Sequence, residues 1–170
     1  QHKSIQVFSC KKNVDYLRQH QPIGCRDEWT LAFLNSLGIE SYFSGCLTLT
    51  LQKPNLPRGD KILLVDAFCR LSKNEEIALL DRIVPKKYNE NFELITHWDS
   101  FDAKIDNNKF DFAQRLLDKY ASAKLVITSR LHCVLPCLAF GTPVYFVDIG
   151  YCTSEDRNRF GGLYNNFDVI

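Results

Sequence analysis

Three polar residues that could bind an anion, Ser129, Arg130 and His132, follow the short apolar run Leu125–Ile127 in the stretch TSRLHCVLPCLAFGTPVYFV. Arginine is a planar, two-pronged donor suited to phosphate or carboxylate, and histidine exchanges a proton near neutral pH. The apolar run predicts a strand and the next residues predict a helix, so these side chains fall in the first turn of that helix. Its backbone N–H groups and dipole favour anions. We therefore predict an anion pocket, with Ser129 as the helix cap.

Arg130 also has a structural interpretation, in which it pairs with a nearby carboxylate such as Asp148. A lone cation at a helix N-terminus is unfavourable for the dipole, which favours the functional interpretation. Further along the same helix, Pro136 is expected to cause a kink, because it cannot donate to the His132 carbonyl. Gly141 is expected to end the helix.

The segment GCRD is a second candidate, because Gly24 permits a turn before Arg26 and Asp27 at the start of a helix. Its structural alternative is a surface ion pair and a helix cap. Asp27 could act as a base, although capping is the favoured role. Arg157 and Arg159 are weaker candidates.

Short apolar strands alternate with helical patterns in the second part of the chain, and this alternation predicts an α/β fold with a parallel sheet flanked by helices on both faces. Ligands of such sheets bind at the carboxyl ends of the strands, where Ser129, Arg130 and His132 would lie. The predicted strands are KILLVD (61–66), FELITH (92–97), KLVIT (124–128) and PVYFV (143–147).

The first part of the chain predicts a smaller layer of strand, helix and strand. The expected elements are a strand at Ile5–Phe8, a helix at Lys11–His20, a helix from Asp27 to Leu37 that Gly38 ends, and a strand at Ser41–Leu47. A proline- and glycine-containing segment then separates the two parts. We assign residues 1–52 to the C-terminal part of an N-terminal Rossmann-like domain, 53–60 to a linker, and 61–170 to a C-terminal Rossmann-like domain.

The composition is that of a globular protein without a nucleic-acid partner. The chain has 170 residues, 45% of them hydrophobic and twelve of them Phe, and its net charge of +1 gives no basic footprint. No apolar run is long enough to span a membrane. Seven cysteines without any CxxC pair predict buried thiols in a reducing, cytoplasmic compartment; they are Cys10, Cys25, Cys46, Cys69, Cys133, Cys137 and Cys152.

No cofactor is predicted. Nor is a metal site, because ligand spacing gives little support to one. Cys133 and Cys137 share a helical face, and with His132 they form only a weak metal-site candidate.

Two segments together, PIGCRDEWTLAFLNSLGIESYFSGCLTLTL and LVITSRLHCVLPCLAFGTPVYFV, resemble the polysaccharide pyruvyl transferase family. The similarity runs from Pro22 to Leu163, and an apolar strand followed by SRLH and then GTPV is its most specific part. The resemblance implies a GT-B-like fold of two Rossmann-like domains with an active site in the cleft. It also implies transfer of the pyruvyl group of phosphoenolpyruvate onto two hydroxyls of a saccharide acceptor, as a ketal.

By the same resemblance, Arg26, Arg130, Leu131 and His132 match the family's phosphoenolpyruvate-site positions, Leu131 through its backbone. His132 would be the general acid or a further phosphate donor. The chain is shorter than the family's pattern and starts inside the N-terminal domain, so we expect a preceding segment or a second chain to supply acceptor-binding residues.

Two other functions fit parts of the pattern. A GT-B glycosyltransferase would hold the diphosphate of a nucleotide sugar at the same helix start, and turnover of its donor would distinguish it. A non-catalytic carbohydrate-binding or structural relative would keep the fold without bringing Arg26, Arg130 and His132 into one cleft.

Overall fold

The computed structural model describes residues 2–68, 71–83, 91–97, 109–147 and 161–163. These residues form two compact units. The first contains the described residues up to Leu47 together with 161–163, and the second contains those from Thr48 to Val147. Residues 53–60 have no regular secondary structure, and the domain assignment made from the sequence stays a prediction.

The first unit is built around a pair of parallel strands joined by a helix. β1 and β2 pair from Ile23 opposite Ser41 to Cys25 opposite Phe43. A small apolar cluster of Val14, Cys25, Leu34 and Ile39 packs beside them. The elements are α1 (His2–Ser9), α2 (Lys11–Arg18), β1 (Ile23–Cys25), α3 (Glu28–Ser36) and β2 (Ser41–Phe43). A 3-10 turn (Leu47–Thr50) follows where the second unit begins in sequence.

Two strand predictions in this unit were wrong. Ile5–Phe8 lies within α1 and is not a strand; Ile5 and Phe8 are three residues apart, a spacing that also suits a helix. The first strand of the strand–helix–strand unit is instead Ile23–Cys25, in the segment predicted to be a turn. The predicted strand Ser41–Leu47 stops at Phe43.

The second unit is a four-stranded, fully parallel sheet in the order β4-β3-β5-β6. It confirms the α/β class and all four predicted strands of this part of the chain. Its elements are β3 (Ile62–Val65), α4 (Lys73–Ile83), β4 (Phe92–Ile95), α5 (Lys109–Ser122), β5 (Leu125–Thr128), α6 (Leu131–Phe140) and β6 (Val144–Phe146).

The core of the second unit lies where α5 and α6 pack against the central strands. α6 is apolar on nearly every side, and most of it is buried. Burying one such aliphatic or aromatic side chain contributes about 1.5–3 kcal/mol. The fully or nearly fully buried members of this cluster are Leu63, Val65, Tyr120, Ala121, Ala123, Val126, Cys133, Cys137 and Phe140.

The residues just before β3 are anchored by hydrogen bonds to the ends of α5 and α6. Arg58 donates to the carbonyls of Ala123 (2.8 Å) and Gly141 (3.0 Å), and the Gly59 N–H donates to the Ser122 carbonyl (2.7 Å). These bonds fix the chain where it enters the sheet, and they use carbonyls that the ends of α5 and α6 leave without helical partners.

Candidate active site

The sheet order places a topological switch point between β3 and β5. From β3 the chain crosses to β4 on one side, and it then returns to β5 on the other side of β3. Open parallel sheets bind ligands in the crevice at the carboxyl ends of the strands at such a point. Asp66 follows β3 there, and Ser129 and Arg130 follow β5.

Asp66 is the residue that links these strand ends. One carboxylate oxygen, Oδ2, accepts from Arg130 Nε (2.8 Å) and from the His97 N–H (3.1 Å). Its own carbonyl accepts from Ser129 Oγ (2.6 Å), and its N–H donates to the Ile95 carbonyl (3.1 Å). Asp66 is 7% exposed, so this polar group is buried together with its partners.

The backbone of Asp66 is left-handed, with φ of 45°. An L-residue other than glycine rarely takes this conformation, although Asp and Asn tolerate it best. Such strained residues concentrate at functional sites, where the surrounding structure holds them in place. Here the four hydrogen bonds of Asp66 provide that support.

Ser129 does not cap α6, and that prediction was wrong. Its hydroxyl donates to the Asp66 carbonyl across the sheet, and the N-cap residue is Arg130, without a side-chain cap bond. Thr128 fixes the corner instead. Its Oγ1 donates to the Val65 carbonyl (2.7 Å) and accepts from the Arg130 N–H (2.9 Å). The corner that presents Arg130 is therefore tied to β3 by two hydroxyls.

Arg130 is partly accessible, with 27% of its side chain exposed. Its described ion pair is with Asp66. The alternative partner considered from the sequence, Asp148, lies outside the described residues. The pair offsets the unfavourable position of a cation at the N-terminus of α6. A guanidinium has five N–H donors, and this ion pair uses the one on Nε.

His97 follows β4 by two residues, and its Nε2 is 2.6 Å from the buried Tyr120 hydroxyl. Burial lowers the pKa of His97; the charges of Arg130 and His132 lower this pKa further, while Asp66 raises it. His97 is therefore a neutral histidine near pH 7. These interactions also show that both histidines and Arg130 lie in one electrostatic neighbourhood.

His132 and Leu131 occupy the first turn of α6 as predicted. His132 is exposed and Leu131 is buried, 7% exposed. The first N–H groups in the helical ladder are those of Cys133 and Val134, which both donate to the Arg130 carbonyl (3.0 Å). The N–H groups of Leu131 and His132 come before that ladder, at the positive end of the helix.

α6 runs unbroken through Pro136, and the kink expected there stays a prediction. The helix ends at Gly141, whose φ of 63° and ψ of 29° are left-handed. The predicted glycine cap is therefore confirmed. Strand β6 follows within three residues and pairs with β5.

Arg26 occupies the equivalent junction in the first unit, after β1 and before α3. Asp27 caps α3, as predicted, by accepting from the Thr30 N–H (2.8 Å). The same carboxylate lies 3.8 Å from Arg26 Nε, and the Arg26 side chain is 31% exposed. Arg26 and Arg130 belong to different units, and their convergence on one ligand stays a prediction. Arg157 and Arg159 lie outside the described residues.

The cysteines of the described segments are free thiols. Cys25, Cys133 and Cys137 are buried as expected, whereas Cys10 is exposed. A hydrogen bond with Cys133, together with burial, raises the pKa of Cys137. His132 is exposed while both nearby cysteines are buried, and among the described residues no group of three candidate ligands could hold a metal ion. Cys69 and Cys152 lie outside the description.

A model of the polysaccharide pyruvyl transferase family matches residues 12–151, which is most of the chain. The chain belongs to the polysaccharide pyruvyl transferase family. No curated protein and no solved structure matches it. No helix in the described part of the chain is long and apolar enough to cross a membrane.

The family match spans both candidate junctions, the one at Arg26 and the one at Arg130. It also spans Asp66 and His97, which were not among the candidates predicted from the sequence. A signal for Asp66 was present, since an acidic residue ends the buried run KILLV, and the end of β3 adjoins the end of β5 in the sheet. His97 likewise ends the predicted strand FELITH.

Proposed function

We propose that the chain takes part in transfer of the pyruvyl group of phosphoenolpyruvate onto a sugar of a polysaccharide or glycan precursor, as a ketal. The observation that carries this proposal is the position of Arg130. In a chain of the pyruvyl transferase family, it lies at the helix start beside the switch point of a parallel sheet. We further propose the GT-B-like arrangement of two Rossmann-like domains for the protein as a whole, and a cytoplasmic location.

The donor carries two anionic groups, a phosphate and a carboxylate, and the proposed site offers matching donors. Arg130, the first-turn N–H groups of Leu131 and His132, and the His132 side chain would bind one of them. The Ser129 side chain is poorly available to a ligand, because the residue is 7% exposed and its hydroxyl already donates to the Asp66 carbonyl. Arg26 would bind the second anionic group.

The proposed chemistry requires one proton donor and two sugar hydroxyls. Protonation of the methylene carbon leaves a cation at C2, and the first hydroxyl adds to C2 and releases its proton. Phosphate then leaves with the electrons of its C2–O bond. The second hydroxyl captures the resulting cation and loses its proton. The products are the ketal and inorganic phosphate.

His132 has two possible roles in this scheme, as the acid that protonates the methylene carbon or as a further donor to phosphate. His132→Gln separates them. Loss of the acid lowers kcat, whereas loss of a phosphate contact common to the ground and transition states raises KM with kcat unchanged.

The test of the function is a donor assay. The chain is incubated with a panel of oligosaccharides and either phosphoenolpyruvate or a nucleotide sugar, and release of phosphate and formation of a ketal methyl group are followed by NMR. Ketal formed from phosphoenolpyruvate is the expected result. Glycosyl transfer from the nucleotide sugar, with phosphoenolpyruvate inert, would contradict the proposal.

A further inference from the structure

The contacts of Asp66 indicate a function beyond holding the fold together. The sheet needs no charged residue at the end of β3, and a buried carboxylate carries a desolvation cost that only good partners offset. The carboxylate has two described donors: one is the backbone N–H of His97, and the other is the side chain of Arg130, the candidate anion-binding residue.

The geometry of the pair fixes the direction of the guanidinium. Asp66 Oδ2 accepts from Nε at 2.8 Å, and the same oxygen is held by the His97 N–H at 3.1 Å. The acceptor is therefore itself anchored to the end of β4. In a planar guanidinium, Nη2 lies on the same edge as the Nε–H, and in Arg130 this Nη2 is buried. Nη1 lies on the opposite edge and is directed away from that acceptor.

We propose that Asp66 is the positioning residue for Arg130: its carboxylate holds Nε so that Nη1 is already directed at the anionic donor before it binds. This inference rests on the proposed function, because it assumes that Arg130 contacts phosphoenolpyruvate. Preorganisation removes the entropy loss of ordering a long side chain upon binding.

Asp66→Gly is the informative substitution, because glycine adopts the φ of 45° without strain and removes the acceptor. Asp66→Asn keeps one acceptor oxygen and tolerates the same backbone conformation. Glu93→Gln is the matched control, because it also removes one carboxylate from an ion pair of the second unit, the pair with Lys119 on α5.

The measurement is the calorimetric affinity for phosphoenolpyruvate in a double-mutant cycle of Asp66→Gly and Arg130→Ala. We expect Asp66→Gly to weaken binding about two- to tenfold in the parent chain, and to have no effect in the Arg130→Ala background. Asp66→Asn should retain most of the affinity, and Glu93→Gln should bind like the parent.

A second readout follows Arg130 without any ligand. In the parent chain, the Arg130 Nε–H signal in a ¹H–¹⁵N spectrum should be protected from solvent exchange, and Asp66→Gly should abolish that protection. This readout reports the ion pair itself; a merely structural role would lower thermal stability in Asp66→Gly and leave the affinity for phosphoenolpyruvate unchanged.

Several results would overturn the inference. The first is an unchanged affinity for phosphoenolpyruvate in Asp66→Gly while Arg130→Ala loses binding. The second is an equal loss of affinity on adding Asp66→Gly to the parent and to Arg130→Ala. The third is tighter binding in Asp66→Gly, which would mean that the carboxylate competes with the ligand. If the parent chain fails to bind phosphoenolpyruvate, the proposed function is refuted. The proposed role of Asp66 toward that ligand is then refuted as well, even if the Nε–H signal shows that the ion pair is intact.

Discussion

At the scale of single residues, the site depends on a charge placed where its own helix disfavours it. Arg130 lies at the positive end of α6, and Asp66 from the neighbouring strand offsets that cost. An incoming anion would interact favourably with both the arginine and the helix. The arrangement therefore suits an anion-binding site better than a purely structural ion pair. A neutral capping residue at this position would stabilise the helix start at a lower free-energy cost.

His97 gives a prediction about pH. Its pKa in the folded chain is lowered, mainly by burial, so the unfolded chain binds the proton more readily. Its contribution to stability is complete above its ordinary pKa of about 6.5 and is lost as the pH falls below that value toward the lowered pKa. His97→Gln should remove this component of the pH dependence.

The check is chemical denaturation of the parent and of His97→Gln at about pH 7.5 and about pH 5.5, on either side of the ordinary histidine pKa. The free energy of unfolding should fall more in the parent than in the variant. His20→Gln, at an exposed position two residues after α2, is the control and should follow the parent. Equal falls in parent and His97→Gln would contradict the assignment.

At the scale of elements, the ends of the helices control how the candidate residues are presented. Asp27 caps α3 directly after Arg26, and removal of such a cap typically costs about 0.5–2 kcal/mol. Asp27→Ala should therefore lower the unfolding free energy by that amount, and Asp27→Asn should retain it.

The same pair of variants tests the other role considered for Asp27. If Asp27 acts as a base, Asp27→Asn loses turnover although the cap and the stability are preserved. If capping is its only role, Asp27→Asn retains both turnover and stability. Turnover measured in the donor assay therefore decides between the base and the cap.

Gly141 gives a second prediction at this scale. Its left-handed φ of 63° would strain an alanine, although a Cβ there meets no atom within 4 Å. Gly141→Ala should cost about 1–2 kcal/mol in unfolding free energy through backbone strain alone. Gly59→Ala, where the backbone is not left-handed and the nearest atom to a Cβ is 3.5 Å away, should have little effect. Equal losses in thermal denaturation would show that strain is not the cause.

Secondary structure was predicted correctly from the sequence where an apolar run was long enough to distinguish a strand from a helix or turn. The four apolar runs of the second unit were confirmed as strands because short, largely apolar runs that alternate with helices are typical of a parallel sheet. Ile5–Phe8 was misread because four residues cannot distinguish alternation from a helical turn. Ile23–Cys25 was missed because three residues beside a proline and containing a glycine read as a turn.

The site was predicted only in part, for a related reason. Arg130, Leu131 and His132 are contiguous, so a motif reveals them together. Asp66 is 64 residues from Arg130 in sequence, and only the order of strands brings the two side chains into contact. Serine is a common capping residue, but the buried Asp66 carbonyl, directly after β3, accepts the Ser129 hydroxyl instead.

At the scale of the whole molecule, the account requires Arg26 of one unit and Arg130 of the other to bind the same donor. Arg26→Ala should then weaken phosphoenolpyruvate binding about tenfold, the effect of losing one charge-assisted contact. Lys12→Ala changes the net charge equally within the same unit and is the control. Equal affinities of Arg26→Ala and the parent in a calorimetric titration would exclude Arg26 from the site.

The central claim is that the β5–α6 corner binds phosphoenolpyruvate, and calorimetric titration of the parent chain, Arg130→Ala and Lys124→Ala tests it most directly. Lys124 is exposed and lies just before β5, at the opposite end of that strand, so its removal changes the net charge equally without touching the corner. The account predicts binding by the parent, about tenfold or greater weakening in Arg130→Ala, and parent-like affinity in Lys124→Ala. Equal affinity of Arg130→Ala and the parent, with the fold intact, would contradict it.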